Sequence, residues 1–402
     1  MSFKILHKDK KSSARTGVLE TKSGKITTPF FMPVATKGNV KFMTTDYLQD
    51  IGVPAVISNA LILSLRPGTK LLRKVGGIKK FMNFNGINAT DSGGFQMYSK
   101  FIYLSSNDEG VTFKNPFSGE KIFMTPESNM KVQLDINSDI AMCLDSMPLY
   151  KDSKEAISTA VDKTISWAKR CKIEHDKLQK KLKPQKRQLL FGIVQGGIHH
   201  DLREKCSSQM AKIDFDGYSI GGIALPANCY DGDMEKVKNM EHAVIKIHKG
   251  VVPENKVCYL MGEGDPVWML EAIALGCDMF DSRMPAQSAR HGTMFTSKGR
   301  LKLVNKEYEE DLGPIDSDCD CLACKNYSRA FIRHQLIREE STGKTLATYH
   351  NIYYLTRLME QARKEIARGK FLEFKNKVKG IYKKAEMKRV AENRKRKKIK
   401  KK

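Results

Sequence analysis

The segment GCDMFDSRMPAQSAR, residues 276–290, places an acidic side chain at the end of a short apolar run. The run CDMF (277–280) has the composition of a buried β-strand, and Asp281 follows it before a loop that contains Pro285. An aspartate that follows a strand commonly caps the next helix. The alternative is that the fold delivers the Asp281 carboxylate to an active site, and the rest of the chain bears on that choice.

Seven further apolar runs precede this one, and stretches with helical spacing lie between many of them. The runs cover residues 30–35, 53–58, 87–90, 139–144, 189–194, 217–220 and 257–261. The helical stretches include residues 153–171, 201–213 and 266–276. Alternation of covered strands with helices is typical of a parallel sheet, and eight such strands predict a (β/α)8 TIM barrel. An open doubly wound sheet is the alternative, although no G-x-G-x-x-G follows the first strand.

Polar residues or glycines follow most of these runs: Asn59, Asp91, Asp145, Gln195, Gly221, Gly222, Gly262 and Asp281. In a TIM barrel the carboxyl ends of the strands meet at one mouth, where the βα loops build the active site. Three aspartates and a glutamine at one mouth favour a functional site over separate helix caps. The glycines are either tight turns or places where backbone N–H groups approach a planar heterocycle.

The chain has 402 residues, of which 41% are apolar and 29% charged, enough for one large α/β domain or two modest ones. Its formal charge of +25 favours a polyanionic partner such as a nucleic acid, with solubility as the alternative reason. No apolar run approaches the length of a membrane span, and the N-terminus lacks the apolar core of a secretion signal. The sequence therefore predicts a soluble, cytoplasmic protein with no membrane partner.

Three of the nine cysteines are crowded together as Cys319, Cys321 and Cys324, and His350 follows them. Crowded cysteines in a chain without a secretion signal indicate a metal rather than disulfides. Three thiolates and an imidazole complete a tetrahedron with no position for water, so the sequence predicts one structural Zn2+ per chain. His334 is the alternative fourth ligand. The other cysteines are interpreted as small buried apolar residues.

These features predict four segments. Residues 1–300 form the barrel, and residues 301–360 form a C-terminal zinc-binding subdomain. Residues 361–383 form a helix that packs on the barrel, and residues 384–402 form a frayed or disordered basic tail. Residues 383–402 hold twelve basic and two acidic residues, a block that is usually a solvated helix end and less often an arm that contacts nucleic acid.

Ordered stretches between about residues 14 and 360 closely resemble the tRNA-guanine transglycosylases, or queuine tRNA-ribosyltransferases. They include TDSGGFQM (90–97), GIVQGG (192–197), YLMGEG (259–264), ALGCDMFDS (274–282) and CDCLACKNYSRAFIRH (319–334). That family is a zinc-containing (β/α)8 barrel that exchanges the wobble guanine of certain tRNAs for a 7-deazaguanine. The resemblance implies the same fold and activity, of the bacterial and eukaryotic type, with the tRNA anticodon arm and a guanine-like base as partners.

By this resemblance Asp281 is the nucleophile that bonds to the ribose, and Asp91 is the general acid and base. Asn59 is then an amide that orients the nucleophile. The resemblance also implies residues that bind the base: Asp145 at its N–H edge, Gln195 and the Gly222 amide at its carbonyl, Ser92 in the pocket wall, Met261 and Gly262 beneath it, and Phe95 stacked on it.

The sequence departs from the family pattern beside the nucleophile, where residues 285–287 read Pro-Ala-Gln instead of Pro-Thr-Arg. The missing arginine usually helps to hold the anticodon loop. We therefore expect tRNA binding to depend on Arg283, Arg290, His291 or other basic residues.

The pocket also departs from the family pattern. Ser146 replaces an acidic residue, and residues 225–228 read Leu-Pro-Ala-Asn. We expect Met147 and Leu225 to narrow the pocket, which favours 7-aminomethyl-7-deazaguanine over the bulkier queuine. The loss of acidic residues argues the other way, because a cationic aminomethyl group favours acidic neighbours.

Other activities compete with this interpretation. One is a non-catalytic subunit that pairs with an active homologue, although the presence of both Asp91 and Asp281 argues against it. Another is a related enzyme that inserts a deazapurine into DNA, since phosphate contacts do not distinguish DNA from RNA. The archaeal type has additional C-terminal RNA-binding domains, for which this chain has no room. The family works as dimers, so we expect a homodimer or a heterodimer with a homologous subunit.

Overall fold

The computed structural model describes residues 2–148, 152–223 and 234–399. Strands are numbered β1–β16 and helices α1–α15 in chain order. An antiparallel sheet comes first, formed by β1 (Phe3–Lys8), β2 (Arg15–Thr21) and β3 (Gly24–Thr28). This sheet precedes the first barrel strand and was not among the predicted strands.

Eight parallel strands form the centre of the molecule, and each overlaps one of the eight predicted apolar runs. They are β4 (Phe30–Pro33), β5 (Ala55–Asn59), β6 (Ile87–Asp91), β10 (Ile140–Met142), β11 (Leu189–Val194), β12 (Gly217–Ile220), β13 (Val257–Leu260) and β14 (Met279–Ser282). Nearly all of their residues are buried, which explains why the runs are continuously apolar rather than alternating.

The eight strands close into a barrel. Their hydrogen-bonded order is β4-β14-β13-β12-β11-β10-β6-β5, and β4 returns to β5 through a parallel bridge between Val34 and Ile57. The amide N–H of Ala35 donates to the Ile57 carbonyl at 2.7 Å across this seam. Closure excludes the doubly wound alternative and confirms the predicted TIM barrel.

Fifteen helices lie within the described residues. They are α1 (Thr45–Ile51), α2 (Ala60–Leu63), α3 (Thr69–Val75), α4 (Ile78–Met82), α5 (Gly94–Met97), α6 (Pro126–Ile136), α7 (Lys154–Gln179), α8 (His200–Ala211), α9 (Met234–Val251), α10 (Pro266–Ala274), α11 (Met284–Arg290), α12 (Leu322–Asn326), α13 (Arg329–Ile337), α14 (Ser341–Ala367) and α15 (Phe371–Ile399). The three helical stretches predicted above are found in α7, α8 and α10. The loop predicted after Asp281 is wrong, because Pro285 occupies the first turn of α11, where its missing N–H costs nothing.

Two smaller antiparallel sheets interrupt the barrel repeat. One consists of β7 (Tyr103–Ser106), β8 (Val111–Lys114) and β9 (Lys121–Met124), between α5 and α6. The other is the hairpin of β15 (Thr293–Thr296) and β16 (Gly299–Lys302), which follows α11. Neither sheet coincides with one of the predicted apolar runs.

The C-terminal helices bind the barrel to the segment that holds the clustered cysteines. Helix α14 packs against α11, α12 and α13 and against β4 of the barrel. It ends at Ala367, and α15 begins at Phe371, so the predicted helix 361–383 contains a break. Helix α15 continues to Ile399 and includes most of the predicted basic tail, whereas residues 400–402 lie outside the described part. No described helix is long and apolar enough to cross a bilayer.

A buried ion pair fixes the start of β14. The Arg15 guanidinium donates to both carboxylate oxygens of Asp278, at 2.9 and 2.6 Å, and both side chains are almost fully buried. Asp278 also accepts a hydrogen bond from the Cys258 amide at 2.8 Å, which links β14 to β13. Removing one partner of such a pair costs about 3–5 kcal/mol, because the other charge stays buried. This pair holds β14 three residues before Asp281.

Candidate active site

Three carboxylates lie at the mouth of the barrel. Asp91 is the last residue of β6, Asp281 lies within β14, and Asp145 follows β10 by three residues. Burial, together with the charges of Asp145 and Asp281, raises the pKa of Asp91 to about 7. The mouth therefore brings the three acids together, as the sequence analysis predicted.

Asp281 accepts two hydrogen bonds on one oxygen. The Tyr259 hydroxyl donates to Oδ1 at 2.5 Å, and the Gly262 amide donates to the same atom at 2.9 Å. Burial raises the pKa of Asp281, and these two donors oppose that effect. The N-cap of α11 is Arg283, so Asp281 is not the cap of the helix that follows it. The second carboxylate oxygen, Oδ2, accepts no hydrogen bond from the described residues and is left for a ligand.

Tyr259 is a site residue that the sequence analysis missed. It lies in β13 within the apolar run 257–261, whose composition predicts only a buried strand. Burial and the adjacent Asp281 charge raise its pKa well above the ordinary value, so the hydroxyl stays protonated and donates. The signal in the sequence was its hydroxyl group, because a buried tyrosine hydroxyl usually needs a hydrogen-bond partner.

Asp91 accepts a hydrogen bond from Asn59 Nδ2 at 3.2 Å. The two residues are direct neighbours because β5 and β6 pair in parallel with Asn59 opposite Asp91. The Asn59 side-chain oxygen accepts from the Ile62 amide at 2.8 Å and thereby caps α2. The expectation that Asn59 orients the nucleophile is corrected: its amide donates to Asp91, not to Asp281.

Asp145 is buried between two donors. Gln195 Nε2 donates to Oδ2 at 2.7 Å, and the Ser92 hydroxyl donates to Oδ1 at 3.3 Å. Burial raises its pKa, and these donors oppose that rise. A Cβ on Gly94 would lie 2.6 Å from Oδ1, so only glycine leaves room for this carboxylate. Helix α7 is capped by Ser153, which excludes Asp145 as its cap.

The remaining predicted base-binding residues surround these acids. The Gln195 side chain is 1% exposed, and its Oε1 has no hydrogen-bond partner among the described residues. A Cβ on Gly222, which has φ 68°, would lie 2.6 Å from that oxygen. Met261 is half-buried after β13, whereas the Phe95 ring is 59% exposed on α5. The unpaired amide oxygen and the exposed ring are both available to a ligand.

The residues that depart from the family pattern are only partly described. The Ser146 hydroxyl shares a hydrogen bond with the Tyr98 hydroxyl at 2.9 Å, and Met147 is half-buried beside it. Leu225 and the other residues of the 225–228 segment lie outside the described residues, as does Cys229. Of the two segments that depart from the family pattern, only the one after β10 lies within the described residues.

The three basic residues expected to contact tRNA follow Asp281 closely. Arg283 and His291 are exposed at the two ends of α11. Arg290 is half-buried, with its guanidinium 5.9 Å from the centre of the Phe42 ring. Because α11 begins at the carboxyl end of β14, Arg283 follows Asp281 by two residues at the mouth of the barrel.

Cys319, Cys321, Cys324 and His350 form a cluster whose ligand atoms all lie within 4.8 Å of one another. The His350 Nε2 contacts the Phe295 carbonyl at 2.8 Å and donates to it, so Nδ1 presents its lone pair to the thiols. Tetrahedral ligands about 2.3 Å from a zinc ion lie about 3.8 Å apart, which fits this spacing. His350 lies in this cluster, whereas the alternative His334 is exposed on α13.

The neighbouring residue Asn351 connects the metal cluster to the segment after Asp281. Its Nδ2 donates to the carbonyls of Pro285 and Thr293, both at 3.0 Å. Its side-chain oxygen accepts from the Phe295 amide, also at 3.0 Å. One turn of α14 therefore holds α11, the β15 hairpin and the metal cluster in a fixed relation.

Comparison with known proteins identifies the family. The sequence pattern of the family described as "TGT: Queuine tRNA-ribosyltransferase" matches residues 9–384. This chain belongs to the queuine tRNA-ribosyltransferase family. A relative with that name from Thermoanaerobacter sp. (strain X514) is 42% identical over 375 residues, 93% of this chain and 96% of the relative. Relatives with the same name from Thermodesulfovibrio yellowstonii and Fusobacterium nucleatum are 43% and 42% identical, over 93% and 94% of this chain and 94% and 97% of their own lengths.

The matched range contains all three carboxylates of the mouth and the metal cluster. The queuine tRNA-ribosyltransferase relatives align over almost their full length, so the family assignment concerns the whole barrel and not one motif. This confirms the resemblance on which the predicted site residues depended.

The metal cluster predicts that Cys324→Ser lowers the bound metal below one ion per chain, because a hydroxyl replaces one of three thiolates. Elemental analysis of the purified full chain measures this content, and a chelator should lower its thermal midpoint. Cys171→Ser is the matched control, since Cys171 is buried outside the cluster. Equal metal content in Cys324→Ser and the control would contradict the assignment.

The raised pKa of Asp91 predicts a pH-dependent stability. The folded chain keeps this proton up to about pH 7, whereas the unfolded chain loses it near 3.8. The contribution of Asp91 to the stability of the folded chain is complete below its unfolded-state pKa of 3.8 and is lost as pH rises through its folded-state pKa of about 7. Relative to Asp91→Asn, the wild type should lose up to a few kcal/mol of unfolding free energy across this range.

Urea unfolding at intervals from about pH 4.5 to about pH 8.5 measures this difference. The control is Asp162→Asn, which removes an exposed carboxylate paired with Lys205. A stability difference between wild type and Asp91→Asn that does not change with pH would show that the Asp91 pKa is not raised.

Proposed function

We propose that this chain exchanges a guanine in tRNA for a 7-deazaguanine through a covalent intermediate on Asp281. The observation that carries the proposal is the meeting of Asp91, Asp145 and Asp281 at one barrel mouth in a member of this family. The relatives' name, queuine tRNA-ribosyltransferase, supports tRNA rather than DNA as the substrate. Retention of both Asp91 and Asp281 in one pocket favours catalysis over a binding-only subunit.

In the first step Asp281 Oδ2 attacks the ribose anomeric carbon. A carbon–oxygen bond forms, the glycosidic carbon–nitrogen bond breaks, and its electron pair leaves with the guanine. The Tyr259 hydroxyl and the Gly262 amide hold Oδ1, which leaves Oδ2 free to react. The departing base takes a proton from Asp91, whose pKa of about 7 keeps it protonated often enough at neutral pH.

In the second step the incoming base displaces Asp281. Asp91, now ionised, removes a proton from the base, and the base nitrogen attacks the anomeric carbon as the Asp281 oxygen leaves. Two displacements at one carbon retain its configuration, as in retaining glycosidases. Protonation of one acid and ionisation of another at the same pH is the usual result when neighbouring carboxylates occupy different environments.

The base is bound by the residues around Asp145. The Asp145 carboxylate accepts from the N–H edge of the base, while Gln195 and the Gly222 amide donate to its carbonyl. One Gln195 N–H already contacts Asp145, which leaves the other for the base. Ser92, Met261 and Gly262 line the pocket, and the exposed Phe95 ring covers one face of the base.

Two further parts of the proposal concern the metal and the RNA. The cysteine–histidine cluster binds Zn2+, which is structural because four protein ligands leave no open position. Arg283, Arg290 and His291 contact the anticodon loop where it enters the mouth. The dimer expected from the resemblance remains a prediction.

The nucleophile is tested with Asp281→Asn. The wild type should form an enzyme–RNA adduct that survives denaturing electrophoresis when it is incubated with labelled tRNA, and the variant should form none, because an amide oxygen is a poor nucleophile. Asp162→Asn is the control and should form the adduct normally, since this exposed residue lies on α7. An adduct that persists in Asp281→Asn would assign the covalent bond to another residue.

The preferred base is tested by competition against labelled guanine already exchanged into tRNA. We expect 7-aminomethyl-7-deazaguanine to displace the label at least about tenfold better than queuine, because Met147 narrows the pocket and a steric mismatch of this size costs 10-fold or more. Met147→Ala should reduce that preference, and Met387→Ala, an exposed methionine on α15, should not. A preference of the wild type for queuine would overturn this part of the proposal.

A further inference from the structure

The sheet of β7, β8 and β9 lies at the same end of the barrel as the carboxylates. It is inserted between α5 and α6, within the βα connection that follows Asp91. One of its faces is tied to the base pocket: the Tyr103 ring stacks on Tyr98 at 5.0 Å, and the Tyr98 hydroxyl is hydrogen-bonded to Ser146. Ser146 is the neighbour of Asp145. The sheet is therefore continuous with the proposed active site.

The opposite face of this sheet carries charge and an exposed ring. Strands β8 and β9 pair with Thr112 opposite Phe123 and Lys114 opposite Lys121. Because side chains alternate along a strand, Phe123 and both lysines project from the same face. Val111, Phe113 and Met124 project from the other face and are buried.

The ring and the two lysines of this outer face are exposed, whereas Thr112, on the central strand of the same face, is only 9% exposed. Phe123 is 49% exposed, and Phe101, which lies next to the lysine end of the sheet, is 93% exposed. Neither lysine ammonium has a hydrogen-bond or ion-pair partner among the residues that the structure describes. Like charges directly opposite each other destabilise a sheet, so this pair is unfavourable in the free chain and is relieved by an anion.

The combination of two cations and two exposed aromatic rings indicates the occupant. Phosphate groups neutralise paired lysines, and unpaired bases stack on exposed aromatic side chains. The bases of a double helix are stacked inside it and cannot stack on the rings, whereas a single-stranded RNA loop exposes both bases and phosphates. A second protein chain is less suitable, because an interface core is depleted of charged residues.

We propose that Lys114, Lys121, Phe123 and Phe101, together the lysine–phenylalanine face, bind the single-stranded loop of the tRNA beside the exchanged guanine. The inference depends on the proposed function for the identity of the RNA. It adds a second contact surface, on the Asp91 side of the mouth, to the one around α11 on the Asp281 side. The two surfaces hold the loop from opposite sides while its guanine enters the pocket.

The test measures tRNA affinity of the full chain at several salt concentrations. Lys114→Gln/Lys121→Gln should reduce the slope of log affinity against log salt by about 1.4, since each single-strand phosphate contact contributes about 0.7. Phe123→Ala should weaken binding by about tenfold through lost stacking. The matched control is Lys180→Gln/Lys181→Gln, which removes two exposed lysines beyond the last turn of α7 and should leave the slope unchanged.

Guanine exchange by the wild type, measured in parallel, separates the two proposals. If the wild type exchanges guanine and the face variants bind tRNA with the wild-type slope and affinity, the face is not an RNA surface and only this inference fails. If the wild type exchanges no guanine, the proposed function fails, while the binding data still report on the face. A change in sedimentation with unchanged tRNA affinity would identify a protein interface and overturn the inference. Thermal unfolding of each variant checks that it is folded.

Discussion

Closure of the parallel barrel is the constraint on which the rest of the structure depends. The hydrogen bond from Ala35 to Ile57 joins the first barrel strand to the second, so all eight carboxyl ends face one small area. A closed sheet has a fixed diameter, and side chains at neighbouring strand ends cannot avoid one another. The three carboxylates consequently share one buried region, and the charges of Asp145 and Asp281 oppose the ionisation of Asp91.

The proximity of the three carboxylates lowers the stability of the folded chain, and the same proximity makes acid–base chemistry possible at this site. Each acid is compensated differently: Asp281 by Tyr259 and Gly262, Asp145 by Gln195 and Ser92, and Asp91 by Asn59 and a backbone amide. Asp91 also carries the influence of both neighbouring charges, which leaves it as the acid that changes its proton near neutral pH. Strand ends at an active site are thus less stable than they would be with apolar residues.

The sequence predicted the strands well because their residues are buried on both faces. Continuous apolar runs such as 189–194 have few other interpretations, and the polar residue that ends each run then lies at the mouth. The smaller sheets were missed because their signals are weak: β7 is largely exposed, and β8 and β9 are four residues each. Pairings within the site were also missed, since the partner of Asn59 follows from the register of β5 and β6, which depends on closure. Tyr259 was missed for a different reason, because it lies within a continuous apolar run.

The hydrogen bond from Asn351 to α11 can form only late in synthesis, because Asn351 lies near the end of the chain. All three carboxylates and every barrel strand lie before residue 283, yet the turn after Asp281 is held by side chains of α14, which also reaches the opposite end of the barrel through Arg363 and the Pro29 carbonyl. A ribosome that has released only the barrel strands has therefore produced the reacting groups before the side chain that holds the segment after Asp281. The attachment of α11 therefore waits for the last fifth of the polypeptide.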